Sequence, residues 1–263
     1  MVLADRRKAP TIKASDQSAA PLGASAGALQ SAACPPRFLR PRDAGTLIIL
    51  DESGGVPKLL MGRRSVRLAF MPGKYVFPGG RLEAGDLTLA RHFALPDQNR
   101  DRLLAATSIR FREQRAIGIA LAAIRETFEE VGILVGATGI IPTQSVGFEA
   151  FAAAGIVPDP AILSPIARAI TPPGHIRRFD TRFFCVSADA IAVARNFEQR
   201  VDDEFDHVDW FSLDRLDTLD LPGITRHVLA DIDGRLRDGS WRDTSRSMPF
   251  YRARHGRPVR EMI

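Results

Sequence analysis

Apolar residues fall at two different spacings along this chain, and the changes between them mark out its elements. Residues 45–50 are a short branched apolar run of strand type, ended by Asp51-Glu52-Ser53-Gly54-Gly55. Residues 58–63 supply a partner, so the two predict a hairpin. Tyr75-Val76-Phe77 leads into a glycine loop. Residues 87–115 predict a mainly helical stretch broken at Pro96, with Leu103, Leu104, Ile109 and Phe111 available to cover an edge of the core. Residues 116–124 are mostly Ala, Ile and Leu, with Gly118 their only weak helix former, and predict a buried helix. Gly132 suits the left-handed cap that would end it.

Beyond that helix the signals alternate. Residues 138–141 and 166–170 are weak strand candidates around a helix-like segment at 148–154, and 179–186 and 208–212 read as strands. Ser212 is a suitable N-cap for a helix from Leu213. Pro222 opens an amphipathic helix carrying Ile224, Val228, Leu229, Ile232 and Leu236. Strands interleaved with helices in this order predict an α/β fold, an α/β/α sandwich around a mixed sheet. Residues 1–36, rich in Ala, Ser, Gly and Pro, read as a disordered tail, which leaves 37–263 as one domain.

Composition narrows the chemistry only slightly. The 263 residues are 45% apolar, enough for a substantial core, and no apolar run approaches the ~20 residues of a membrane span. Cys34 and Cys185 are too few for a disulfide framework and lack metal-ligand spacing, so a reducing, cytoplasmic location is expected. Net charge is +5, from 32 Arg and 4 Lys against 31 acids. Arginine forks suit phosphates and carboxylates, so an anionic small molecule is compatible. A basic pI also permits nucleic acid, but the arginines are scattered, and neither nucleic acid nor membrane is the expected partner. A homodimer is compatible with this reading.

One stretch changes the picture: Arg125-Glu126-Thr127-Phe128-Glu129-Glu130-Val131-Gly132-Ile133. On a helix, Glu126, Glu129 and Glu130 share one narrow arc. Like charges four apart repel and carboxylates in a last turn oppose the helix dipole. A solvated acidic helix end is one reading; a bound cation is the other. Without a nearby His or Cys the cation would be a hard divalent ion, Mg²⁺ or Mn²⁺. Upstream, Phe77-Pro78-Gly79-Gly80 allows close backbone approach and can offer carbonyls to a metal or amides to phosphate.

Together the two pieces resemble the signature of the Nudix hydrolases, Gly-x5-Glu-x7-Arg-Glu-U-x-Glu-Glu-x-Gly-U, where U is bulky and apolar. Gly80 takes the opening glycine, Asp86 stands where the family has Glu, and Arg125, Glu126, Glu129, Glu130, Gly132 and Ile133 fill the second half. Thr127 departs at a U position. The larger departure is spacing: 38 residues separate Asp86 from Arg125 against the family's seven, so a 31-residue insertion, placed at about 87–118, splits the box. A split box resembles the branch of the peroxisomal coenzyme A diphosphatases. Gly73 and Phe77 to Gly80 match part of that branch's coenzyme A element, while Leu59, Leu60, Arg63, Arg64 and Ser65 resemble its start out of register.

The resemblance implies a hydrolase that cleaves the diphosphate linkage of a nucleoside diphosphate derivative, coenzyme A or an acyl-coenzyme A among them. ADP-ribose or NADH cleavage and a non-catalytic nucleotide sensor are its alternatives. It implies Mg²⁺ or Mn²⁺ held by Glu126, Glu129, Glu130 and the Gly80 carbonyl, with Arg125 orienting the glutamates. A general base in this family often comes from a later loop, where Glu204 is the candidate. Arg63, Arg178 and Arg182 are candidates for substrate phosphates; Trp210 and Phe70 for stacking on a base, though core packing suits both.

Overall fold

The computed structural model describes residues 39–194 and 204–263; the tail predicted at 1–36, with Cys34, lies outside them. The chain opens with β1 (Arg42–Asp51), β2 (Lys58–Arg64), β3 (Tyr75–Val76) and β4 (Gly79–Arg81). Three helices follow: α1 (Ala84–Leu89), α2 (Asp97–Leu104) and the long α3 (Glu113–Val131). Next come β5 (Ile133–Val135), β6 (Ala137–Thr138), α4 (Glu149–Ala154), β7 (Ile156–Val157), β8 (Ser164–Ile170), β9 (Phe179–Ser187) and β10 (Ile191–Ala194). The remainder is β11 (Phe205–Ser212), a 3-10 turn (Leu213–Thr218), α5 (Gly223–Arg237), β12 (Pro249–Arg254) and β13 (Arg257–Met262).

Among the described residues the main sheet is nine-stranded, ordered β11-β2-β1-β9-β8-β12-β13, with β3 also on β2 and β4 also on β1. β1 runs parallel to β9 and β12 parallel to β8; the other pairings are antiparallel, so the sheet is mixed. Alternation along β1 sorts the core into two layers. Leu47 and Ile49 pack with Leu60, Phe184 and α3. Ile48 and Leu50 pack with Leu59, Met61, Phe183, Cys185 and, from α5, Val228 and Ile232. Helices cover both faces, which is the predicted α/β/α sandwich.

β1 changes partner along its length, and that change positions the site. Its far end pairs with β2, Leu50 opposite Leu59, while its near end pairs with β4, Gly45 opposite Gly80. α3 then lies so close that a Cβ on Gly45 would meet the Ile119 carbonyl oxygen at 2.2 Å. Gly132 ends α3 in the left-handed conformation, φ 73°.

Several expectations need correction. The helix expected from Leu213 is a 3-10 turn, and of the strand expected at 138–141 only Thr138 is paired, within the two-residue β6. The inserted stretch is mainly helical with its break at Pro96, as expected: α1, α2 and the residues between them supply Leu89, Leu95 and Leu103 to the core, while residues 105–112 are irregular. Ile109, expected at the core edge, is 86% exposed. α3 begins at Glu113, before the expected end of the insertion at 118. β10 and the hairpin of β12 and β13 were not predicted. Arg252, Arg254, Arg257 and Arg260 mask the strand pattern of that hairpin, which is held by Phe250 against β8 and by backbone bonds between Met248 and Ile263. Among the described residues no helix is long and apolar enough to cross a membrane.

Candidate active site

The two halves of the split signature meet. Arg125, buried on the last turns of α3, donates from Nε to Asp86 Oδ1 at 2.9 Å and from Nη2 to Asp86 Oδ2 at 3.1 Å. Its Nη1 reaches Glu126 at 3.0 Å and Glu129 at 2.8 Å, and Nη2 also donates to the Arg81 carbonyl at 3.1 Å. Asp86 is itself buried and accepts the Glu83 N–H at 2.8 Å, closing a capping box at the start of α1. Although 38 residues intervene, α1 therefore presents its aspartate to the end of α3. A covering loop completes the enclosure: Ser145 donates to the Gly85 carbonyl at 2.7 Å, and a Cβ on Gly147 would meet Arg125 Cδ at 2.4 Å.

On the other side of α3 the glycine strand lies against the glutamates. The Gly79 N–H donates to Glu130 Oε2 at 2.8 Å. A Cβ on Gly80 would stand 2.2 Å from the Glu126 carboxyl carbon, so no other residue fits that position as it stands. Glu130 is almost fully buried, Glu126 partly so, and the Glu129 side chain is 43% exposed.

Burial and mutual repulsion set the electrostatics. Desolvation, with Glu129 adding and Arg125 opposing, pushes the Glu126 pKa up to about 7. Glu130 is held well above the ordinary carboxylate range, first by burial and then by the Glu204 and Glu126 charges, against the Gly79 N–H. Glu129 is raised as well, by burial against Arg125. Burial works against the Arg125 charge, but Asp86, Glu126 and Glu129 more than compensate and keep it firmly protonated. Carboxylates thus outnumber the one buried cation that serves them, and this all-oxygen donor set suits a hard divalent ion. As they stand, no three His, Cys, Asp or Glu side chains among the described residues form a ready ion cage. Arg125 holds Glu126 and Glu129, and the Gly79 N–H holds Glu130.

Of the other candidates, Glu204 comes near this cluster, with its charge felt by Glu130 and its carboxylate on Arg64 Nη1 at 2.8 Å. The sequence reading named Arg63, whereas Arg64 is the one that faces the glutamates. The period of two explains the difference. Arg64 shares the α3 side of β2 with Leu60, while Arg63 lies on the opposite side with Leu59 and Met61 and pairs with Asp206 at 2.7 Å. Arg182 also proves a structural group: it is 1% exposed, paired with Asp43 at 2.6 Å and covered by the Phe111 ring of the insertion. Arg178 is half-buried and donates to the backbone carbonyls of Leu39 and Thr171, at 2.6 and 2.9 Å. Neither offers a free fork to substrate. Trp210 packs at the edge of the core on the α3 side, and Phe70 meets Phe179 edge-on.

No protein-family model matches the chain. Its sequence is 36% identical over 107 residues to acyl-coenzyme A diphosphatase NUDT19 of Gallus gallus, covering 34% of this chain and 28% of that protein. It is 33% identical over 95 residues to the Xenopus laevis protein of the same name, covering 30% and 25%. The chain therefore spans about a quarter of the length of the curated relatives it matches. Its fold matches the crystal structure of a NUDIX hydrolase from Alicyclobacillus acidocaldarius at TM-score 0.56 and 26% identity, over 73% of this chain and 90% of that one. With the two halves of the signature rejoined, the chain has the Nudix hydrolase fold, and over about a third of its length it resembles the acyl-coenzyme A diphosphatases.

Proposed function

We propose that the chain hydrolyses the diphosphate linkage of a nucleoside diphosphate derivative, with coenzyme A or an acyl-coenzyme A as its preferred substrate. The observation that carries this reading is the grip of Arg125 on Asp86, Glu126 and Glu129 across the 38-residue spacer. The names of the Gallus gallus and Xenopus laevis proteins support the choice of substrate. Mg²⁺ or Mn²⁺ held by Glu126, Glu129 and Glu130 beside Gly80 would neutralise the diphosphate and ease loss of a proton from water.

The chain's own groups have distinct tasks. Arg125 is a positioning residue, anchored by Asp86, that fixes Glu126 and Glu129. The Gly79 N–H orients Glu130. Glu204, held by Arg64 close to Glu130, accepts the proton of the attacking water. Water oxygen bonds to one phosphorus, and the bond from that phosphorus to the bridging oxygen breaks. The base hands its proton to the departing phosphate, which leaves two phosphomonoesters.

The test is a panel of coenzyme A, an acyl-coenzyme A, ADP-ribose, NADH and a diadenosine polyphosphate, each with Mg²⁺ or Mn²⁺. The reading expects cation-dependent release of two monophosphate products, fastest from the coenzyme A compounds, and loss of that release in Glu130→Gln. ADP-ribose or NADH at the head of the ranking would change the substrate. No turnover of any member, with nucleotide still bound, would replace the hydrolase by a sensor.

A further inference from the structure

Away from the glutamates, α2 and α5 each carry a buried arginine whose guanidinium nitrogens are largely without hydrogen-bond partners. Arg102 on α2 is 8% exposed and Arg235 on α5 is 4% exposed. All three guanidinium nitrogens of Arg102, and Nη1 of Arg235, have no hydrogen-bond partner among the described residues. Arg235 commits only Nη2, to the Ser247 carbonyl at 2.9 Å.

The segment after α5 ties these side chains together. Gln98 lies one turn before Arg102 on the same face of α2 and accepts a hydrogen bond from Thr244. Three residues on, Ser247 receives Arg235. Burial, the larger cause, and the Arg235 charge push the Arg102 pKa down to about 10, against the Asp243 carboxylate. Of the neighbouring carboxylates, Asp243 acts on both arginines through space, and each carboxylate hydrogen-bonds other groups. Asp243 accepts from Ser245 at 2.9 and 2.6 Å, and Asp238 from the Ser240 N–H at 3.0 Å and from Arg246. Asp231 accepts from Tyr251 and, at 2.7 Å, from Arg260. Asn99, the other buried group nearby with an unpaired atom, lacks a partner at Oδ1, an acceptor, and adds nothing to an anion's contacts. Arg182 has unpaired nitrogens too, but Asp43 and the Phe111 ring already balance it.

Two like charges buried near one another, with most of their N–H groups unmet, are an unfavourable arrangement. Planar forks with unmet N–H groups match the acceptor-only oxygens of a tetrahedral anion. We propose that Arg102 and Arg235 form a binding site for a small oxyanion of the phosphate type, between the inserted helix α2 and the C-terminal helix α5. Occupancy would pin the insertion that splits the catalytic signature to the opposite layer of the domain. This site does not depend on the diphosphatase reading.

The experiment is thermal melting of the full chain, free of divalent cations, in inorganic phosphate, sulfate, acetate or chloride at matched ionic strength. Phosphate at about ten times its Kd should raise the parent's Tm by about 3 °C, with sulfate similar and acetate and chloride much weaker. Arg102→Met should lose that rise, and should melt above the parent in oxyanion-free buffer because an unpaired charge has gone. Arg110→Met, an exposed control, should keep the rise. No rise in the parent overturns the proposal, as does a rise that survives in both Arg102→Met and Arg235→Met, since phosphate would then bind elsewhere. If neither variant folds, equilibrium dialysis of labelled phosphate against the parent decides: about one per chain, displaced by sulfate and not by acetate, supports the site, and no retention sinks it.

Discussion

Two places in the domain hold buried charge of opposite excess. At the end of α3, one arginine is surrounded by Asp86, Glu126 and Glu129, with Glu130 beyond it and raised in pKa by burial and the Glu204 charge. Between α2 and α5, two buried arginines have Asp243 nearby but no hydrogen bond to a carboxylate. The first cluster is rigid, since every Arg125 nitrogen has a partner, and its surplus is negative; the second is under-bonded and its surplus is positive. Buried charge therefore marks a site by the sign left over after local pairing; the acidic cluster shows in the sequence as carboxylates on one helix arc, whereas the arginine pair does not.

The largest effect should come from the pairing itself. Arg125→Met leaves Asp86 buried without its cation and should cost about 3–5 kcal/mol in denaturant unfolding. Arg125→Met with Asp86→Leu should recover much of that loss. If the double variant is no more stable than the single, the two groups are not the coupled pair described.

Next in size is the chemistry. Glu130→Gln should lower kcat/KM with Mg²⁺ by about a hundredfold or more while the fold survives, because the Gly79 N–H keeps an oxygen to bind. Steady-state kinetics on an acyl-coenzyme A would show it, and parent-like rates would remove Glu130 from the site.

Much of this site was legible beforehand. Glu126, Glu129 and Glu130 share a helix arc by simple geometry, and Gly79-Gly80 reads as a loop able to approach them closely, though the structure makes it a short strand. The fold was legible where patterns were strong, as in β1, α3 and α5. What the sequence hid were choices made by tertiary packing. The face that Arg63 takes rather than Arg64 depends on strand phase, which no run of apolar residues next to the pair makes clear. Arg182 resembled a phosphate ligand until Phe111, from an irregular stretch of the insertion, was seen to lie over it. The C-terminal hairpin is masked by its arginines, because a strand on an edge can satisfy its outward face with charge.

A smaller effect tests the electrostatic half of the comparison. Glu126 is raised from an ordinary glutamate value to about 7 in the folded chain, so the folded state binds the proton more tightly than the unfolded state. Its contribution to stability is full below about pH 4.5 and is lost as pH rises through about 7, a change of at most about 3 kcal/mol. The cation-free chain should therefore lose Tm between pH 6 and pH 8, and Mg²⁺ should restore more at pH 8 than at pH 6. A cation-free Tm that rises across this window would contradict it. The smallest effect belongs to Arg63→Ala, which removes an exposed pair with Asp206 and should change stability by less than about 1 kcal/mol and leave turnover close to the parent's.

The most direct test is a Mn²⁺ titration followed by electron paramagnetic resonance on the full chain, the double variant Glu126→Gln/Glu130→Gln, and Arg102→Met. The account predicts Mn²⁺ binding by the parent and by Arg102→Met, and its loss in the double glutamate variant. Equal binding by that variant, or none by the parent, would contradict the claim that the two separated halves close into a cation-binding catalytic centre.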